Sequence, residues 1–526
     1  MKKCQADYIE SLISATPDGG VCQLEQKEYY IERRIVVRGK HNVTLDGCGA
    51  TVICRYLNGA DHKNSSDGFI IDECQGLVMK NLVLDTDVAP TITAYVEKAD
   101  IELGELTIKV DDEFTVNGKE TLMALISTND RGEFDYRMHR YVLHPDPKII
   151  TLIQGEILCA NSFAGADCDY LGNNRLLVRL PRGDLRLLKI GDKICIRHSM
   201  YGPAAIAIRN SDDTVLENIT MHATAGMGVM VLYRCNNLII DGLKMTVRDR
   251  SSALMSCNCD GVHITGLTGR FEMRNCYFDG LGDDALNIHS LAGTASAIDF
   301  NSKTIKCNYC KKTPDGILPS AWCRKGDLIR AFDPETISYK GSFTVESFEN
   351  GLLTYSSLEG ELRAGYTLQN VEFSPSCLVE NCTVKRTRAR GLLFQTDDIE
   401  VRNCTFDGMS SSAIRVAPDL GFWYEVGPTD GLYIHDNRFI ENGITDHPAP
   451  VISIQPTHRA DVDGVWGLHK NVRIENNVFE RLRAAAIDLR STDKVVIRDN
   501  VFPSDAPCPP AKLLRCRDTK IDCATD

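Results

Sequence analysis

The 526-residue chain has no apolar run of 18 residues or more, so nothing in it suggests a membrane-spanning helix. It also has no long basic run. Its 59 Lys and Arg stand against 72 Asp and Glu, a formal net charge of −13, which makes nucleic acid, anionic membranes and strongly acidic polymers poor partners and favours neutral ligands. The opening Met1-Lys-Lys-Cys-Gln-Ala-Asp7 has the positive start of a secretory signal without the apolar stretch that should follow, so a cytoplasmic location is expected. Cysteine is not scarce: there are 21, an odd number, in a chain too long to need a disulfide framework. Cys257 with Cys259 and Cys307 with Cys310 are spaced like half a zinc site, but no second pair follows at finger spacing. Buried or free thiols are the expectation, with neither metal nor cofactor.

What the sequence does contain is repetition. Short units of alternating apolar and polar residues ending in Asn recur: Val215-Leu-Glu-Asn-Ile-Thr-Met221, Phe271-Glu-Met-Arg-Asn-Cys-Tyr-Phe278, Leu378-Val-Glu-Asn-Cys-Thr-Val384, Ile399-Glu-Val-Arg-Asn-Cys-Thr-Phe406, Val472-Arg-Ile-Glu-Asn-Asn-Val-Phe479 and Val495-Val-Ile-Arg-Asp-Asn-Val-Phe502. Asn381 and Asn403 are 22 residues apart, Asn477 and Asn500 are 23 apart. A rung of about two dozen residues, with short strands and no helical period between them, predicts an all-β chain wound as a right-handed parallel β-helix. Repeated turn Asn residues would form a hydrogen-bonded ladder, and Cys276, Cys382 and Cys404 would fill the interior as small hydrophobes.

The repeat stops twice. Both stretches carry Lys-x-Gly-Asp or Lys-Gly-Asp before alternating apolar residues, at Leu188-Lys-Ile-Gly-Asp-Lys-Ile-Cys-Ile196 and Arg324-Lys-Gly-Asp-Leu-Ile-Arg-Ala331. These read as strand entries of two inserted β-barrel-like subdomains. The expected organisation is a cap and first rungs over 1–90, an insert over 91–192, central rungs over 193–290, a second insert over 291–370, and final rungs with a closing tail over 371–526. Apolar residues at helical spacing in Ala6–Ala15 predict a short helix covering the open end of the solenoid.

One rung carries Phe278-Asp-Gly-Leu-Gly-Asp-Asp-Ala-Leu-Asn-Ile-His-Ser290. A polar turn would account for Asp283 and Asp284, but three features add to that. Gly280 and Gly282 permit an irregular backbone that brings both carboxylates to one face. His289 follows on the same coil. Asp260 lies 23 residues upstream, one rung away, and so stacks beneath the pair at about 4.8 Å. Crowded carboxylates raise at least one pKa, and a proton donor beside an ionised base is what glycosidic hydrolysis requires. A separation of roughly 6.5–9.5 Å admits an attacking water and inverts the anomeric centre, whereas about 5 Å implies a covalent nucleophile.

The runs Gly226-Met-Gly-Val229, Cys257-Asn-Cys-Asp-Gly-Val-His263 and Gly282-Asp-Asp-Ala-Leu-Asn-Ile-His289 resemble the α-1,3-galactosidases of glycoside hydrolase family 110. The likeness reaches Phe439 and includes Thr387-Arg-Ala-Arg-Gly-Leu-Leu393 and Trp423-Tyr-Glu425. It implies a β-helix with barrel inserts and exo-acting release of terminal α-linked galactose, in α-1,3 linkage, from oligosaccharides or glycans with inversion. It also implies Asp283 as general acid, with Asp260 and Asp284 holding the water as general base. The chain has Asn-Ile-His-Ser where the family pattern has Asn-Val-His-Gly, and Asp-Gly-Val-His where it has Asp-Ala-Thr-His.

Around the trio, His263 and His289 are candidate partners of sugar hydroxyls. Trp423 offers an aromatic face to sugar C–H surfaces, and Glu425 two residues on points to the same side. Arg388 and Arg390 share a face, and Arg390, next to Gly391, is the better candidate to meet substrate or a carboxylate. A polygalacturonase is the nearest alternative, but its Gly-His-Gly and Arg-Ile-Lys signatures are missing and the negative charge suits a polyuronate badly. A calcium-dependent lyase would need a further carboxylate cluster. A non-catalytic carbohydrate-binding or adhesive β-helix is the alternative from another class. The pattern is compatible with a homo-oligomer.

Overall fold

The computed structural model describes residues 4–56, 68–100, 102–114, 140–143, 150–151, 167–179, 190–197, 202–309, 320–420, 423–444, 448–455, 465–506 and 509–522. Its unit is a coil of three short strands. Ser376–Glu380, Thr383–Thr387 and Leu392–Gln395 form one coil, and Ile399–Arg402, Thr405–Asp407 and Ile414–Val416 form the next. The coils pair in parallel and in register, with Cys377 opposite Ile399, Thr383 opposite Thr405 and Leu392 opposite Ile414. Alternation along each strand buries Val379, Val384, Leu392 and Phe394 inside the solenoid.

The turn between the first two strands of a coil explains the Asn repeats. Asn381, Asn403, Asn476 and Asp499 adopt positive φ of 54–55°, a conformation that Asn and Asp tolerate better than other side chains. The next residue points inward. In the middle coils it is Cys276, Cys382 or Cys404, each buried, and in the last coils it is Asn437, Asn477 or Asn500. The latter form the expected ladder, with Asn437 Nδ2 donating to Asn477 Oδ1 and Asn477 Nδ2 to Asn500 Oδ1, each at 3.0 Å. Asn381 and Asn403 therefore make the turn, whereas Asn477 and Asn500 sit one place later and satisfy the interior. A parallel stack of Phe406, Phe439, Phe479 and Phe502, with ring centroids 5.2, 4.9 and 5.1 Å apart, runs through the same coils.

The helix Ala6–Ala15 forms as its spacing predicts and lays Ala6, Ile9 and Ile13 on the first coil, where they join the solenoid core. It covers the open end of the stack, whose strand edges would otherwise be unpaired.

Both interruptions are antiparallel sheets. In the first, the described strands from Thr91–Asp100 to Lys193–Arg197 form one seven-stranded sheet, and any closure into a barrel lies outside the described residues. Thr93 Oγ1 donates to Ser252 O at 2.9 Å and Ser252 Oγ to the Glu113 carboxylate at 2.9 Å, fastening this sheet to the loop that leads to Asp260. The second closes. Leu286–Asp299 pairs with Thr304–Tyr309, then through Leu352–Gly360, Ser338–Glu349 and Leu328–Asp333 to Thr367–Asn370, which returns to Leu286–Asp299. A core of Trp322, Ile329, Phe343, Leu353 and Leu368 fills this six-stranded barrel. Because Leu286–Asp299 is one continuous strand, a solenoid coil runs directly into the barrel wall. An ion pair between Arg234 and Asp327 and the bond from Trp322 Nε1 to Leu291 O, 2.8 Å, hold the barrel against the helix.

Candidate active site

Asp283 and Asp284 lie in the corner between strands Tyr277–Leu281 and Leu286–Asp299, outside both, so strand alternation does not separate them. Gly280 takes φ +74°, while Gly282 needs no left-handed backbone. The corner is stitched to the one below: Gly282 N donates to Cys257 O at 2.8 Å, Asp283 N to Cys259 O at 3.2 Å, and Gly261 N to Asp284 O at 2.8 Å. That register places Asp260 beneath the pair, where its Oδ1 accepts from Asp284 N at 3.1 Å. One oxygen from each of Asp260, Asp283 and Asp284 lies within 4.8 Å of the others. The acids are layered: Asp284 is wholly buried, Asp260 nearly so, and the Asp283 side chain is the outermost at 17% exposed.

The next coil supplies the counter-charges. Arg386 lies near the end of strand Thr383–Thr387, and Arg388 and Arg390 follow in the corner before Leu392–Gln395. Arg386 Nε reaches Asp279 Oδ1 at 2.5 Å, Arg388 donates to Gly282 O at 2.7 Å and Asp283 Oδ2 at 3.0 Å, and Arg390 forks onto Asp284 through Nε at 2.8 Å and a terminal nitrogen at 2.6 Å. The Arg390 backbone N–H adds a third donor to Asp284 at 2.9 Å. Gly391 allows this approach, since a Cβ there would lie 2.4 Å from Ala413 O. Burial pushes the Asp284 carboxyl up to about 7 against the pull of Arg390, so it changes state across neutral pH. Burial also opposes the Arg390 charge, but Asp284 overrides it and holds the guanidinium above its usual value.

The histidines form a chain behind Asp260. His263 Nδ1 meets Asp260 Oδ2 at 2.5 Å, and His263 Nε2 meets His289 Nε2 at 3.3 Å, with the two rings edge to face. His289 Nδ1 donates to Ser290 O at 3.0 Å, so its Nε2 offers a lone pair and the proton in the contact belongs to His263. The directions agree. Burial drives His289 down toward the neutral ring, whereas Asp260 overcomes burial and raises His263. Burial, then the like charge of Asp283 against the opposing pull of His263, raises Asp260. Each imidazole, expected to be a partner of sugar hydroxyls, also has polar contacts inside the site. Glu425 Oε1 accepts from Asn287 Nδ2 at 3.1 Å and stands 3.8 Å from His289 Nε2, beyond hydrogen-bond range. Trp423, 55% exposed, projects from the same segment.

Arg390 meets a carboxylate, as its position suggested, and Arg388, ranked below it, meets one too. Asn287 and the half-buried Arg415 were not singled out, although Asn287 falls inside the aspartate motif. Cys257 and Cys259 are buried free thiols; burial pushes Cys257 up to about 12, and its Sγ donates to Asp260 O at 3.3 Å, an inert structural contact. The trio is also the one acidic cluster among the described residues compact enough to hold a cation. The guanidiniums on Asp283 and Asp284 already supply positive charge there. No described helix is long and apolar enough to cross a membrane.

Residues 374–506 match the family model for a right-handed β-helix region, which gives the solenoid its hand. Among solved structures, the family 28 exopolygalacturonase of Yersinia enterocolitica aligns over 99% of this chain and 76% of its own, at 11% identity and a TM-score of 0.41, too distant to bear on activity. Sequence relatives are nearer. Alpha-1,3-galactosidase B of Bacteroides thetaiotaomicron is 26% identical over 519 residues, covering 92% of this chain and 79% of the relative. Alpha-1,3-galactosidase A of Bacteroides fragilis is 24% identical over 515 residues, with the same two coverages. Over most of its length the chain is thus a homologue of the α-1,3-galactosidases of glycoside hydrolase family 110, as its aspartate motifs indicated.

Proposed function

We propose that the chain is an exo-acting glycoside hydrolase that releases terminal α-1,3-linked galactose from oligosaccharides or glycans with inversion. The observation that carries the reading is the layered trio, two buried carboxylates behind one that reaches solvent, in a homologue of α-1,3-galactosidases. Asp283, the outermost, protonates the glycosidic oxygen as the C1–O bond breaks. Asp260 and Asp284 bind the water that attacks C1 from the opposite face and take up its proton. The trio is closer than the roughly 6.5–9.5 Å of a two-carboxylate inverting pair, but two oxygens about 4.6 Å apart each reach a single water at about 2.8 Å. Asp283 shares that short spacing, so the inverting outcome rests on the likeness to the α-1,3-galactosidases and not on the carboxylate separation. Arg388 holds the Asp283 carboxyl in place through Oδ2 at 3.0 Å. His263 keeps Asp260 oriented and stabilises its charge.

A panel of nitrophenyl glycosides tests this reading. Turnover of the α-galactoside, with none of the β-galactoside or α-glucoside, is expected. Cleavage of polygalacturonate without α-galactoside turnover would replace the reading with a polygalacturonase, and sugar binding without any turnover would replace it with a non-catalytic carbohydrate-binding protein.

A further inference from the structure

Arg415 occupies the middle of strand Ile414–Val416, in register with Leu393, which in turn opposes Asn287 on the catalytic strand. Two rungs of strand spacing put its backbone about 9.6 Å from Asn287. Ile414 and Val416 are wholly buried in the solenoid, so the intervening Arg415 side chain faces out of it, on the side of the active site. Its Nε is buried and has no hydrogen-bond partner among the described residues. Burial, with the charge of Arg390, lowers the guanidinium to about 10, and Asp284 only partly compensates. Asp283 and Asp284 each have an arginine of their own, so the wiring of the trio leaves Arg415 over. A part-buried cation without such a partner is costly unless a ligand completes it.

The chain leaves this strand at Ala417 and returns as Glu425–Val426, which pairs with Ser290–Leu291 on the catalytic strand. One short segment therefore carries Arg415 at its start, the exposed Trp423 near its end, and Glu425 fastened to Asn287. The chain's formal net charge of −13 favours neutral ligands over acidic ones, and the several N–H donors of a guanidinium match hydroxyl oxygens.

We infer that Arg415 forms the subsite for the sugar from which galactose is released, donating hydrogen bonds to hydroxyls of that neutral ring while Trp423 offers it an apolar face. The inference rests on the exo-α-galactosidase reading, because a terminal galactose has only one neighbour; an Arg415 that served the galactose ring instead would cost both test substrates alike.

The test is kcat/KM for α-1,3-galactobiose and for nitrophenyl α-galactoside, whose leaving group has no hydroxyl pair, in the wild type, Arg415→Ala and Arg415→Lys, with thermal unfolding measured for each. The ratio of the two constants should fall roughly tenfold or more in Arg415→Ala, with a smaller fall in Arg415→Lys, which keeps the charge but loses the fork. Equal losses on both substrates, or no loss, overturn the subsite. A disaccharide with an acidic leaving sugar that is cleaved better by the wild type, and loses more in the variant, overturns the neutral assignment. Absence of wild-type turnover on both galactosides refutes the α-galactosidase reading itself, and the subsite with it. If Arg415→Ala unfolds, the ratio in Arg415→Lys decides.

Discussion

Replacing Arg390 by Met removes two guanidinium bonds from a wholly buried carboxylate while leaving the backbone N–H of residue 390 in place. The cost depends on pH. Above about pH 8, Asp284 is ionised in the wild type, and stripping the partner from a buried charge costs about 3–5 kcal/mol. Near pH 5 the Asp284 carboxyl is protonated in both proteins, and the loss shrinks to that of ordinary hydrogen bonds, about 1–2 kcal/mol. The sign follows from linkage: the folded-state pKa of Asp284, about 7, exceeds the ordinary aspartate value of 3.8, so its contribution to stability is full below the lower value and is lost as pH rises through the higher. Removing Arg390 moves the folded value higher still. Scanning calorimetry of both proteins at pH 5 and pH 8, at one scan rate because a solenoid of this size need not unfold reversibly, should show a larger deficit in unfolding temperature at pH 8. The acid limb of the kcat/KM profile should also move to higher pH, since the base is harder to ionise. Equal deficits at both pH values, or an unmoved limb, would refute the assignment of Asp284 as a base tuned by Arg390.

Asp283→Asn should slow substrates with poor leaving groups far more than nitrophenyl α-galactoside, whereas Asp260→Asn should slow both alike, because an activated leaving group needs little protonation but still needs the water; a parallel loss in Asp283→Asn would remove it from the acid role. His263→Gln should lower kcat while leaving KM within about twofold, as expected of a residue that acts through Asp260; a rise in KM alone would make it a sugar contact instead. Chelator treatment followed by gel filtration should leave activity intact, and a loss restored only by added metal would place a cation among the aspartates. Gly391→Ala should destabilise the protein and lower its activity, because the new Cβ meets Ala413 O and the ring of Phe406 just where the chain carries Arg390 past Asp284; a variant of wild-type stability would contradict that packing.

The coil period, the end-capping helix and the aspartate trio were legible because they depend on local spacing. Alternation identifies the strands, and a 23-residue offset stacks Asp260 under the pair whatever the loops do. Partners were less legible. Arg390 and Asp284 are 106 residues apart, although their coils are adjacent, because the barrel is inserted between them. The spacing of Arg388 and Arg390 signalled a common face but neither the carboxylates of Asp283 and Asp284 waiting on the coil below nor the pairing of Arg386 with Asp279. The pairing of His263 with His289 depends on how the two coils bring their rings together, which the sequence spacing did not signal. Arg415 carries no motif at all, and only its missing partner draws attention to it.

In the proposed mechanism Asp260 and Asp284 deliver a water to C1 while Asp283 protonates the leaving oxygen. Proton NMR of the sugar released in the first minutes from an α-galactoside, before mutarotation, tests it most directly. The β-anomer of galactose should appear first and the α-anomer only later. If the α-anomer appears first, displacement is double, and one of the three aspartates is a nucleophile rather than part of a water-holding pair.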